Sequence, residues 1–304
     1  MCPKETGNYR WGVFCAVAAQ VLWGFFPVYF HFLKKVDAVE LVGHRAIWSF
    51  FWLVMLMFVG QLLKTRLDLP KLEEIRSDFK SPRLLGCLAI AGILIAINWL
   101  TFVWAVNNDH KIDASLGYYV CPQVIVLLGV VFLGERLSSV QWVAFALAAV
   151  GVFWIAQSGV SVPWVGLTVA FSFGFYALIK KIVSVSSFVG LTFEMGVLLV
   201  PAICFLLYRG WPLGDTVSGE PWWFNLLLLG TGAATIVPLA FYSASLKHIP
   251  LSTVGLLQFI GPTIQFLIGA FVFREPFDST RLIGFAFVWV GVVLFMFTIG
   301  SRRR

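Results

Sequence analysis

Along the chain, long apolar stretches alternate with short clusters of charge, glycine and proline. Each stretch is apolar all round, without the two-residue alternation and polar inner face of a membrane β-barrel strand. Crossing a hydrocarbon core of ~30 Å takes about 20 such residues in an α-helix. Cut at its charges and turn clusters, the chain predicts ten helices: Trp11 to Leu33, Glu40 to Gly60, Leu84 to Val106, Ala114 to Leu133, Leu137 to Gln157, a sixth opening at Pro163, Phe188 to Tyr208 despite Glu194, Pro221 to Leu246, Leu251 to Phe273, and Leu282 to Ser301. No charge occurs between Leu137 and Ile179, 43 residues that are too many for one crossing. The cluster "SGVSVP" at Ser158 to Pro163 is therefore read as the turn between helices five and six.

Composition fits that pattern. With 60% hydrophobic and 12% charged residues and a mean hydropathy of +0.89, the chain has too little polar surface to cover a soluble globule. The expected class is an all-α membrane protein whose constant partner is the lipid bilayer. Lysine and arginine set its orientation. With the amino terminus inside, fifteen of them fall on cytoplasmic segments, among them Lys64, Arg66, Lys71, Arg76, Lys80 and Arg83, and six on outer loops; Arg45 lies inside helix two. Both termini are expected in the cytoplasm, with residues 1–10 a cytoplasmic tail and 302–304 a basic stop-transfer end. The net charge of +7 is this asymmetry facing an anionic inner leaflet, so no nucleic-acid partner is inferred.

A repeat organises the ten helices. "SLGYYVCPQVIVLLGVVFLGER" from Ser115 has a cousin, "VGLLQFIGPTIQFLIGAFVFREP", from Val254. At an offset of 140, Pro122 meets Pro262, Gly129 meets Gly269, Glu135 meets Glu275, Ser139 meets Ser279 and Gly151 meets Gly291. Residues 11–157 and 163–301 are thus two five-helix units joined by an outer turn at 158–162. Because five is odd, the units enter the membrane upside down relative to each other. Inverted repeats of this kind characterise secondary transporters that expose a midplane site to each side in turn.

The residues also resemble a known family. "YRWGVFCAVAAQVLWGFFPVYFHFL", "NWLTFVWAVNN", "ASLGYYVCPQVIVLLGVVFLGERL" and "PLAFYSASLKHIPLSTVGLLQFIGPTIQFLIG" look like the RarD (chloramphenicol-sensitivity) branch of the EamA-type drug/metabolite transporter superfamily, over essentially the whole chain. What the resemblance implies is a ten-helix permease of the bacterial inner membrane, built from two EamA repeats and moving small metabolites or drugs. Organophosphate carriers of the superfamily keep basic residues in the penultimate helix. Val254 to Phe273 has none, which counts against phosphate substrates.

Candidate chemistry sits on polar residues that the bilayer makes costly. A charge at a helix centre costs ~2.5 to 3.5 kcal/mol on insertion scales, and two residues qualify. Arg45, sixth in helix two, either snorkels outwards beside Asp37 or Glu40 or faces a cavity. Glu194, about seventh in helix seven, either pairs with Lys180 or Lys181 or faces the same cavity from within. As the only acid well inside a span, it is the candidate for binding a proton or a substrate amine. A second tier comprises Gln20, Asn98, Gln123, Gln258, Gln265, Tyr118 and Tyr176, with Trp23 and Trp99 as aromatic walls. Each could be an interhelical hydrogen bond; together they suit an amphipathic metabolite. Pro122 and Pro262, matched across the repeat, are candidate hinges, whereas Pro27 reads as a plain kink.

Other classes find less support. His31, His44, His110 and His248 are scattered, and no metalloprotease, nucleophile-elbow or Cys-x-x-Cys spacing occurs, so no enzyme, cofactor or metal is expected. Cys2, Cys15, Cys87, Cys121 and Cys204 suggest no disulfide framework. A channel or a non-transporting scaffold is the alternative to a carrier. The expected partners are a small-molecule substrate and a candidate coupling proton, with the chain a monomer or a homodimer.

Overall fold

The computed structural model of the chain describes residues 9–62, 81–108, 110–157, 163–183, 185–209, 220–274 and 279–301. The tail before residue 9, the charged loop 63–80, the predicted turn 158–162, Glu275 and the basic end 302–304 lie outside the described residues. Every element described is helical. The spans are Tyr9–His31, Ala38–Leu62, Pro82–Asn107, Lys111–Leu133, Ser139–Ala156, Pro163–Ile182, Ser187–Tyr208, Trp222–His248, Leu251–Val272 and Ser279–Ser301. Nine of the described helices are long and apolar enough to cross a membrane, and the apolar part of the tenth, Leu282–Thr298, is shorter.

Local chemistry sets several boundaries. Ser81 opens the third span by accepting a hydrogen bond from the Leu84 amide at 3.4 Å, with proline in the first turn, where no amide hydrogen is needed. Gly134 closes the fourth at φ +65°, a left-handed cap that side chains with a Cβ rarely adopt. Four residues later Ser138 and Gln141 form a reciprocal capping box that starts the fifth.

Two spans predicted as continuous are broken. The first divides at Phe25 into Tyr9–Gly24 and Phe26–His31. Pro27 lacks the amide that would bond to Trp23 O, and the Gln265 side-chain amide of the ninth span donates there instead, at 3.0 Å. The ninth divides at Gln258 and Phe259, four and three residues before Pro262, and ends in a π-turn over Ile268–Val272. Their counterparts in the other repeat, the sixth and fourth spans, run unbroken, the fourth straight through Pro122. A break therefore accompanies Pro262 and not Pro122.

Packing has the symmetry of the repeat. Span one lies on span eight as span three lies on span six; one lies on nine as six lies on four; two lies on eight as seven lies on three. Pairs two–seven, four–nine and five–ten map onto themselves under the same exchange. The halves are inverted: Gly12, at the start of span one, packs on His248 at the end of span eight. Lys181, at the end of span six, donates to Leu246 O and Ile249 O at 2.6 and 2.7 Å. Span six thus finishes at the face where span one begins, called here the amino-terminal face. Small residues permit the closest crossings. A Cβ on Gly255 would sit 2.8 Å from Pro122 O, and one on Gly151 2.5 Å from Gly284 O, the small-residue seam by which helices associate without a hydrophobic driving force.

Candidate functional site

A cavity of about 550 Å³ occupies the bundle between its middle and the face opposite the amino-terminal one, within the range of small-molecule sites. Ala38, Phe30 and Ser115 line its shallow end, and Gln20, Trp23, Phe173, Leu239 and Gln258 its deep end. The broken spans one and nine supply much of the wall, with Trp23, Phe26, Pro27 and Phe30 from the first and Gln258, Gly261, Pro262 and Gln265 from the second.

Arg45 projects into this space from span two and is its only charged lining residue among the described ones. Its guanidinium carbon lies 4.4 Å from the Trp99 ring centroid and 5.5 and 5.9 Å from those of Phe30 and Phe26, within range of cation–π attraction. Arg45 Nε donates to Thr235 Oγ1 at 3.0 Å, and that hydroxyl donates to Thr231 O at 2.8 Å. The neighbouring acid, Glu40, faces His44 at 3.9 Å instead. Arg45 thus does not snorkel to an acid at the helix end.

Below the cavity an aromatic floor closes the way to the amino-terminal face. Trp23, Phe173 and Tyr242 meet with centroids 5.3 to 5.9 Å apart, and Tyr176 packs on Phe173 at 5.6 Å. Under it Glu194, fully buried, accepts from Lys180 Nζ at 2.7 Å and from Tyr176 OH at 3.1 Å. Lys180 borders a void of about 10 Å³ with Ser243 and Lys247, room for about one water. Glu194 does not reach the cavity, because Phe173, Tyr176 and Tyr242 stand between. The lysine pairing is the arrangement found.

The remaining predicted residues divide in the same way. Gln20, Trp23, Asn98, Trp99, Tyr118, Gln258, Gln265 and Pro262 line the cavity, while Gln123, Tyr176 and Pro122 do not. Asn98 is engaged in packing, donating to Val169 O at 2.8 Å and Ser172 Oγ at 3.2 Å. Gln265 answers the carbonyl freed by Pro27. By contrast Gln20 Nε2 and Gln258 Oε1, on side chains 2% and 6% exposed, have no hydrogen-bond partner among the described residues. Thr235, Phe26 and Phe30 escaped sequence reasoning. Of these, the two phenylalanines on "FFPVYF" had a usable signal in the adjoining Pro27.

The repeated glutamate also finds a role. Glu135 accepts from the Leu251 and Ser252 amides at 2.6 and 2.8 Å, satisfying orphan donors at the positive end of span nine. It locks the two repeats together at the amino-terminal face.

Comparison with other proteins bears on this arrangement. The pattern of the EamA-like transporter family matches residues 10–157 and again 161–297. The uncharacterized transporter YojE of Bacillus subtilis is 41% identical over 295 residues, covering 96% of each chain. Protein RarD of Escherichia coli is 38% identical over 305 residues, covering 100% of this chain and 99% of that one. A crystal structure at 18% identity superposes with a TM-score of 0.68 over 93% of this chain and 96% of its own, a likeness of fold alone.

Proposed function

The chain belongs to the EamA-like transporter family, in its RarD branch, and from that premise we propose that it is a secondary active carrier working by alternating access. As a member of that family it is a multi-pass bacterial membrane protein. In the proposed reading it moves a small metabolite or drug across the inner membrane. Both termini lie in the cytoplasm, as the excess of lysine and arginine on that side favours, so the cavity faces outwards.

One observation carries the reading: the inverted repeats are not in the same conformation. Spans one and nine are broken beside an open cavity, whereas their counterparts six and four are unbroken beside a sealed floor. Exchanging those two conformations between the repeats would open the other face and seal this one. Cavity residues then bind substrate, Pro122 and Pro262 mark the bending spans, and the Glu194–Lys180 pair is the latch whose opening lets a proton reach Glu194.

The test uses purified protein in sealed proteoliposomes, loaded with labelled amino acids and drugs, with and without a proton gradient. Gradient-stimulated movement of at least one solute is expected. Glu194→Gln keeps an oxygen to accept from Lys180 but takes away its counter-charge, so it is expected still to insert and fold, with a lowered melting temperature, yet lose the stimulation. Unchanged rate and pH dependence in that variant would make Glu194 structural and remove proton coupling. A channel would instead pass solute at the same rate with no dependence on a counter-solute.

A further inference from the structure

The charge arrangement around Arg45 bears on which substrates the cavity takes. A guanidinium carries five N–H donors. Here Nε is occupied by Thr235, while the two terminal nitrogens make no hydrogen bond and no ion pair with any described residue. Those nitrogens form the fork that matches a carboxylate in a bidentate pair. Trp99 covers one face of the guanidinium, which holds its plane without using a donor. Among the described residues the cavity wall is otherwise apolar or uncharged, so none of them offsets a ligand's positive charge and Arg45 repels it.

We propose that the cavity binds an amphipathic organic carboxylate, its acid group on the free edge of Arg45 and its apolar body against Trp99, Phe102 and Phe26. The proposal rests on the transport reading only for how the anion enters and leaves, not for its binding. A carboxylate supplies the counter-charge that a half-buried guanidinium in this setting lacks. At the deep end, Gln20 Nε2 and Gln258 Oε1 offer one unpartnered donor and one unpartnered acceptor. They suit a second, neutral polar group on the same ligand, such as a hydroxyl or an amide. Burying these two atoms without partners is costly, and a ligand reaching both would relieve it.

Probes with one phenylalkyl body and a head group of differing charge separate this from a neutral aromatic site. The full chain in detergent is titrated calorimetrically with 4-phenylbutyrate, 4-phenylbutyramide and 4-phenylbutylamine at neutral pH. The acid is expected to bind at least about ten-fold tighter than the amide, with the amine weakest. Arg45→Gln is expected to bring acid and amide to within about two-fold. Arg45→Lys, which keeps the positive charge and loses the fork, is expected to retain part of the acid preference, so that a loss confined to Arg45→Gln reflects the missing charge and not misfolding at position 45. Three results would each overturn the assignment: an amide or amine equal to the acid in the unaltered protein, no acid binding up to about 10 mM, or an acid preference that survives Arg45→Gln. If the acid preference holds while proteoliposomes move no solute, the transport reading fails and the site stands. If neutral or cationic solutes are moved with no preference for the acid, the site fails and transport stands.

Discussion

The two ends of the bundle present one costly charge each, at corresponding positions. Counted from Ala38, Arg45 is the eighth residue of its helix; counted from Ser187, Glu194 is the eighth of its own. The bilayer penalises both alike, yet their surroundings differ. Arg45 lies against aromatic faces with its fork free, whereas Glu194 is fully buried with both oxygens engaged by Lys180 and Tyr176. The charge at the sealed end has found charged and phenolic partners within the protein, whereas the charge at the cavity end bonds only to a threonine hydroxyl and is left without a counter-charge among the described residues.

The largest expected effect lies at the closed end. Lys180→Met leaves Glu194 buried and unpaired, and breaking a buried pair from one side costs about 3–5 kcal/mol. A fall in melting temperature in detergent or loss of expression would register it. Lys180→Met combined with Glu194→Met removes both charges and is expected to recover most of that loss, since apolar replacement of a whole buried pair is often neutral. Equal instability of the single and double variants would mean the pair holds nothing shut. A smaller effect is expected beside the open end, where a Cβ on Gly232 would sit 2.6 Å from Ser49 N. Gly232→Val forces spans two and eight apart and separates Arg45 from Thr235, at a cost of about 1–3 kcal/mol for overpacking. If carboxylate binding by the folded variant were unaffected, Thr235 would not be positioning Arg45.

Much of the frame was legible in the sequence because insertion into a bilayer leaves its mark on composition. Apolar runs bounded by charges give spans, and matching prolines, glycines and serines give the repeat. The conformational asymmetry was not legible. Pro122 and Pro262 occupy equivalent positions, but only the second accompanies a break, a difference that the matching of the two prolines does not foretell. Glu194 could be recognised as costly, but its partner could not be chosen: Lys180 and Lys181 are adjacent, and the way span six is turned sends one to Glu194 and the other to the carbonyls of Leu246 and Ile249. Thr235 was invisible because a threonine that bonds back to the preceding turn looks like any other in an apolar helix.

The smallest effect concerns the kink that shapes the cavity wall. Pro27 leaves Trp23 O without its helical donor, and Gln265 supplies one from a span in the other repeat. This bond ties two broken spans together at the point where both bend. Gln265→Leu keeps the volume and removes the donor, so the carbonyl must go unpaired, at a loss of about 0.6 kcal/mol by the average worth of such bonds in membrane bundles. Restoring Pro27 to an amide-bearing residue in the same chain, Pro27→Ala, gives Trp23 O its own helical donor again. The double variant is therefore expected to regain the stability that Gln265→Leu loses while straightening span one and narrowing the cavity. Narrowing would appear as weaker binding of 4-phenylbutyrate by the double variant than by Gln265→Leu alone. Stability and binding that both fall further in the double variant would mean that the break at Phe25 has another cause, and that the open end is not held open by its proline.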